Sequence, residues 1–259
     1  MPVVLAVMAH PDDIEITCAG TLVLLKRAGW KVAMATMTPG DVGSMSLSRE
    51  KISAVRRKEA AASATLLAAD YTCLEFDDLA IVYGEDAKRR VCALIRSVRP
   101  DLMIAPSRED YMADHTETSR TVVEAAFAST VPNWRTEAGP EGHPPCESIP
   151  AILYADPIGL LNWEGKRTGA HRVVDITAVM DVKEKMLAKH ESQRSWLRAQ
   201  HGEDEYLLSM KRWSADRARD YRKKGVRFAE GFTRHMGHGF PHSDFLVKAL
   251  GRKLVKTAG

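Results

Sequence analysis

Apolar runs rich in Val, Ile and Met alternate, from Val3 to Tyr154, with longer segments in which apolar residues recur at helical spacing. The runs predict strands at Val3 to Ala9, Lys31 to Thr38, Thr72 to Phe76, Leu102 to Pro106 and Ala151 to Tyr154. The intervening segments predict helices at Ile16 to Arg27, closed by Gly29; Arg49 to Ala68, with an Ala-rich face; Ala87 to Val98, stopped before Pro100; and Thr116 to Ser129. This alternation is the pattern of an α/β protein whose helices cover both faces of a mostly parallel sheet.

After Thr130 the texture changes. Val131 to Pro150 is rich in Pro, Gly and Glu and reads as a long surface excursion. Val173 to Ile176 predicts a further strand, with Asp175 or Thr177 capping a long helix from about Ala178 to Ala199. A second charged helix is expected from Glu203 to Lys223, and Arg227 to His242 is Gly-rich and carries no assignment. Arg252 to Lys256 reads as a frayed, solvated tail. Without internal repeats, the expectation is one domain over 1–259: a core over 1–130, then a loop, further strands and C-terminal helices over 131–259.

Charge narrows the function classes. Among 259 residues, Lys and Arg number 37 against 34 Asp and Glu, and the signs are interleaved, so no nucleic-acid partner is expected. Val3 to Met8 is too short to span a bilayer, lacks a basic leader and reads as a buried strand. Cys18, Cys73, Cys92 and Cys146 show no C-x-x-C spacing, which argues against a disulfide framework and a thiolate zinc site. Reduced thiols and a cytoplasmic location are the expectation.

In an open parallel sheet, ligands bind beyond the carboxyl ends of the strands, and the informative polar clusters fall there. His10, Asp12 and Asp13 follow the first strand, Thr38 to Gly43 the second, Asp77-Asp78 the third, and Ser107 to His115 the fourth. His10, Asp13 and His115 offer two imidazoles and a carboxylate, a donor set that suits one zinc ion with a position left open for water. Asp12 is the candidate general base and later general acid. Asp114 is placed to orient an imidazole, and Glu15 to cap the helix or orient His10. The bland alternative is that these aspartates only cap helices.

The run Ala9-His10-Pro11-Asp12-Asp13-Ile14-Glu15 resembles the A-H-P-D-D-x-E signature of the LmbE-like (PIG-L) N-deacetylase family. The likeness extends through Thr38 to Gly43, similar to the family's T-x-G-x-x-G loop and including Gly40, and through Arg56 to Glu59, similar to R-x-x-E. It resumes at Asp114-His115, at Val174 to Thr177 and at His190 to Gln193. The resemblance implies a Rossmann-like sheet, a zinc ion held by His10, Asp13 and His115, Asp12 as base, an N-acetylglucosamine-type substrate and an oligomer.

Many family members carry a histidine three residues before the last ligand, thought to stabilise the tetrahedral intermediate; this chain has Met112. Methionine donates no hydrogen bond, and losing one such donor typically costs about 10²–10³ in rate. His235 and His238, in a Gly-rich stretch, are candidate substitutes. Arg56 and Asp78 are candidate substrate contacts, against an equal case for a helix-surface salt bridge and a turn aspartate, and Trp134 and Trp163 are candidate sugar platforms for which core or interface packing is the favoured role. Three other readings are open: an amidase acting on a non-acetyl amide or thiol conjugate, a weakly catalytic sugar-binding or assembly protein, and a nucleotide-binding module. The last is disfavoured because His-Pro-Asp-Asp stands where a pyrophosphate needs a Gly-rich turn.

Overall fold

The computed structural model describes residues 1–136, 142–201 and 204–257. Strand β1 (Val3–Met8) lies between β2 (Lys31–Thr36) and β4 (Leu102–Ala105), with β3 (Asp70–Cys73) beyond β2 and β5 (Ala151–Ala155) beyond β4, all parallel. The chain leaves β1 for β2 on one side and later returns to β4 on the other, which opens a crevice at the carboxyl ends of β1 and β4. Side chains of β1 alternate between two cores. Val4, Ala6 and Met8 pack with helix α2 (Ala19–Arg27), while Leu5, Val7 and Ala9 pack with α4 (Glu85–Val98) and α5 (Ala113–Ala128).

The predicted first helix is divided: α1 (Asp13–Thr17) stops at Cys18 and α2 begins at once. Helix α3 (Arg49–Thr65) starts on Ser48, whose side chain accepts a bond from the Lys51 N–H. The strand expected at Thr72 to Phe76 forms earlier, at Asp70–Cys73.

The C-terminal half departs more. The long helix expected from Ala178 to Ala199 is broken into α6 (Met180–Leu187) and α7 (Glu191–His201), and His190 sits buried at the break. Helix α8 (Glu205–Tyr221) replaces the one expected from Glu203, a residue outside those described. The unassigned stretch contains strand β7 (Ala229–Arg234), which runs antiparallel between β5 and β6 (Arg172–Asp175). The predicted frayed tail is ordered as the end of α9 (Phe245–Leu254) and an edge strand β8 (Val255–Thr257) on β6. The extension therefore completes a mixed eight-stranded sheet.

Two buried ion pairs hold this extension to the parallel half. Glu230 of β7 accepts bonds from the N–H groups of Gly20 and Thr21, at the start of α2, and from Lys183 Nζ at 2.6 Å. It thereby satisfies donors that a helix start leaves unpaired. Arg217 of α8 grips Asp156 through Nε at 2.6 Å and Nη2 at 2.8 Å. Gly231 leaves the room for it, since a Cβ there would strike the Asp156 carboxylate.

The excursion from Val131 to Pro150 includes residues 137–141, outside those described. Arg96 of α4 fixes its start by donating to the carbonyls of Ser129 and Val131.

Candidate metal centre

The turn leaving β1 sets the geometry. Asp12 takes a left-handed backbone, φ 107°, which costs a non-glycine residue on the order of 1–3 kcal/mol and is tolerated where surroundings enforce it. The strain gives consecutive carboxylates different partners. Asp13 faces two imidazoles, with Oδ2 at 3.4 Å from both His10 Nδ1 and His115 Nε2. Asp12 faces Arg56, whose Nη2 approaches Oδ2 to 3.1 Å. Asp12 stands at the cap position of α1 but makes no side-chain capping bond, so the cap alternative fails there.

Each imidazole has its second nitrogen held by carboxylate. His10 Nε2 lies 3.0 Å from Asp78 and 3.1 Å from Asp114, and His115 Nδ1 lies 3.0 Å from Asp110. Such pairing fixes ring orientation and leaves the opposite nitrogen free for a cation. His10, Asp13 and His115 are all buried, and their ligand atoms lie within 4.8 Å of one another. A second such group, His10, Asp78 and Asp114, shares His10 through the nitrogen already tied to carboxylate.

The charges oppose burial. Desolvation works against protonating His115, but Asp13 and Asp110 carry its pKa up to about 10. Desolvation likewise opposes charge on His10, which Asp114, Asp13 and Asp78 nevertheless raise well above the usual histidine range. Asp13 is held well below the carboxylate range, because His115 and His10 outweigh the upward push of burial. Asp12 moves the other way: burial pushes its carboxyl up against the pull of Arg56.

Several expected contacts are corrected. Arg56 is buried and braces the turn, its Nη1 and Nη2 donating to Gly40 O at 3.3 Å, Pro11 O at 2.8 Å and Asp12, while its buried Nε finds no partner. Gly40, with φ +68°, is needed because a Cβ would overlap that guanidinium. Glu15 neither caps α1 nor approaches His10: it accepts from Ser63 of α3 and lies 3.4 Å from His190 Nε2. Asp78 is buried against His10. Met112 stands at the start of α5, half-buried. His235 hydrogen-bonds the Tyr154 hydroxyl at 2.6 Å, and His238 is exposed; neither joins the metal-ligating groups found among the described residues. Trp134 stacks under Lys88 and Arg89, and Trp163 is exposed.

Residues 5–126 match the family described as GlcNAc-PI de-N-acetylase, PIG-L. Residues 5–126 are a PIG-L domain. The chain is 25% identical over 248 residues to diacetylchitobiose deacetylase of Thermococcus kodakarensis, covering 90% of this chain and 85% of that protein. The structure of N,N'-diacetylchitobiose deacetylase from Pyrococcus horikoshii, complexed with its inhibitor MPG, matches with TM-score 0.77 and 26% identity. That match covers 93% of this chain and 88% of the other. The 4-carboxy-2-hydroxymuconate hydratase of Pseudomonas putida matches with TM-score 0.76 at 18% identity, over 94% of this chain and all of that one, and so shares the fold. The fold around a PIG-L domain therefore does not decide the reaction; the site must.

Two residues near Asp12 lie beyond the PIG-L domain. His190, at the α6–α7 break, is raised above its ordinary value because Glu15 and Asp12 outweigh its burial. The Tyr206 hydroxyl, on α8, is buried and pushed up by desolvation and by Asp12. Sequence reading missed Tyr206, since a tyrosine in a charged helix carries no signal of what it faces. Tyr111 was missed as well: its ring meets that of His115 edge-on at 5.6 Å while 66% of its surface stays open.

Proposed function

We propose that this protein is a metal-dependent N-deacetylase that hydrolyses the acetamido group of an N-acetylated sugar. The observation carrying this reading is the split of adjacent carboxylates, Asp13 toward two imidazoles and Asp12 toward none. The donor set fits a divalent cation of the zinc type: two imidazoles and one carboxylate, buried, with both second nitrogens held by carboxylate. When held by His10, Asp13 and His115, such a cation supplies Lewis acidity to the amide carbonyl and to water.

The rest is done by side chains. Asp12 accepts a proton from the attacking water as the new C–O bond forms. It then delivers that proton to the sugar nitrogen as the C–N bond breaks, leaving acetate and a free amine. Burial favours its protonated form and Arg56 its ionised form, a balance that suits a group used in both states. Asp114 and Asp110 keep the imidazoles oriented. Tyr111, beside His115 at the open face, carries the hydroxyl donor that Met112 cannot offer to a developing oxyanion.

The test is metal content and acetate release by the purified protein, with His115→Ala as control. Bound metal near one equivalent and acetate release abolished in the variant are expected. A wild-type protein that binds no metal and releases no acetate overturns the reading.

A further inference from the structure

Cations distant in sequence gather at the β8 edge of the sheet. Helix α8 ends at Tyr221, and Arg222, Lys223 and Lys224 follow it; Arg252 and Lys253 stand in the last turn of α9, and Lys256 lies in β8. The two helix ends meet. The Tyr221 hydroxyl and Lys223 Nζ donate to the Lys253 carbonyl at 2.8 and 3.3 Å, and Lys256 Nζ donates to the carbonyl of Asp220 at 2.5 Å. Lys223 and Lys256 thus close carbonyls that a helix end leaves open. Arg222, Lys224, Arg252 and Lys253 have no such role: all four are exposed, and no described carboxylate pairs with them.

A concavity of about 470 Å³ opens beside this patch, and the only carboxylate among its lining residues is Asp220. That group is already shared by Arg167 at 3.2 Å and Arg217 at 2.6 Å. The whole chain carries a formal net charge of +3, so four unmatched cations on one edge make a strongly one-signed face. Interleaving of signs along the sequence conceals it.

An apolar element adjoins the cations. The turn from Leu161 to Arg167 is closed by pairing of its ends and carries Trp163 at 70% and Leu161 at 44% exposure. Its Lys166 pairs with Glu164 and adds no net charge. Arg167 ties the turn to α8, donating to the Asp216 carbonyl at 2.9 Å as well as to Asp220. Residues Arg167 to Gly169 form the ridge between the concavity and a second one, about 350 Å³, walled by Ser107 to Glu109. Asp110, which holds His115, follows Glu109 directly.

We infer that this face docks on an anionic lipid surface, with the four cations against headgroup phosphates and Trp163 and Leu161 at the headgroup boundary. An indole sits well at that depth, and long cationic side chains reach the phosphates around it. Stacking nucleic acid is a poorer fit, because the rings within the patch, Tyr221 and Phe228, are buried and half-buried and offer no open face. Among the described residues no helix is long and apolar enough to cross a membrane, so the contact is peripheral. Docking by this edge sets the mouth of the metal-centre cleft beside the lipid surface.

The experiment measures cosedimentation of the metal-loaded protein with vesicles of phosphatidylcholine alone and with about one third phosphatidylserine. The wild type is expected to bind the anionic vesicles at least tenfold tighter, with the difference shrinking as salt is raised. Combining Arg222→Gln, Lys224→Gln, Arg252→Gln and Lys253→Gln should cost tenfold or more at unchanged melting temperature, since all four side chains are exposed. Trp163→Ala should cost roughly three- to tenfold. Equal binding to both vesicles, no binding to either, or a quadruple variant that binds like the wild type overturns the proposal. Unchanged binding by Trp163→Ala overturns the docking orientation, and tighter binding to single-stranded RNA than to anionic vesicles at matched phosphate overturns the lipid partner. Binding is read without turnover, so this surface stands or falls apart from the deacetylase reading.

Discussion

Nη2 of Arg56 lies 3.1 Å from Oδ2 of Asp12 and 2.8 Å from the carbonyl of Pro11, so one nitrogen of α3 fixes both side chain and backbone of the turn leaving β1. Removing it leaves Asp12 buried without its cation. Arg56→Ala is expected to destabilise by about 3–5 kcal/mol and to lower kcat more than it raises KM. Urea denaturation and steady-state kinetics check this; an active variant of wild-type stability would show that the contact is idle.

Gly40 depends on the same guanidinium. Its φ of +68° strains any other residue, and an added Cβ meets Arg56. Gly40→Ala should therefore cost on the order of 2–3 kcal/mol and depress activity in proportion to the displacement of Arg56. Gly29 is the control: its φ of +86° is similar but nothing lies within 4 Å, so Gly29→Ala should carry only the backbone cost, about 1 kcal/mol.

How much of this was legible in the sequence follows from what each residue requires. His10, Asp13 and His115 could be found because strand ends can be read from apolar runs, and parallel topology gathers strand ends on one rim. Glu15 was assigned the wrong partner, and the tie of Arg56 to Asp12 went unread. What they face depends on how α3 and the α6–α7 break pack against α1, and periodicity carries nothing about that. Strand β7 escaped because Ala-Glu-Gly-Phe-Thr-Arg places a charge and a glycine inside a buried strand. Both are there for partners far away: Glu230 for Lys183 and the start of α2, and Gly231 for Asp156 and Arg217.

The metal-free centre should respond to pH with a definite sign. His115 is raised to about 10, above its unfolded value near 6.5, so its contribution is complete below about 6.5 and is lost as pH rises toward 10. With chelator present, urea stability should fall by roughly a few kcal/mol across that window. Ligand imidazoles must be neutral, so added zinc should stabilise progressively more over the same range. Chelated protein that gains stability from neutral to alkaline pH would contradict the assignment.

Tyr111→Phe keeps the ring that packs on His115 and removes only the hydroxyl. With the proposed role, kcat should fall by about 10²-fold while KM and melting temperature stay near wild type. Introducing Met112→His into that variant should recover part of the loss. Unchanged kcat in Tyr111→Phe would exclude the tyrosine as donor.

Lys183 and Glu230 are both buried, 2.6 Å apart. Glu230→Ala should destabilise by about 3–5 kcal/mol, because it strands the ammonium and the N–H groups of Gly20 and Thr21. The check is denaturation of each single variant and of Lys183→Met with Glu230→Leu; the double variant should recover part of the loss.

Asp114 steadies His10 while accepting bonds from the main-chain N–H groups of Leu79 at 2.8 Å and Ile81 at 3.3 Å. The loop after β3 is thus moored to the His10–Asp114 pair by backbone N–H groups rather than by side chains. Its outward side chains, Leu79 at 66% and Val82 at 73% exposure, carry none of that mooring. Position 82 can consequently be rewritten while the imidazole beneath keeps its bearing, whereas position 79, held at φ +63°, accepts few residues besides glycine and asparagine without strain.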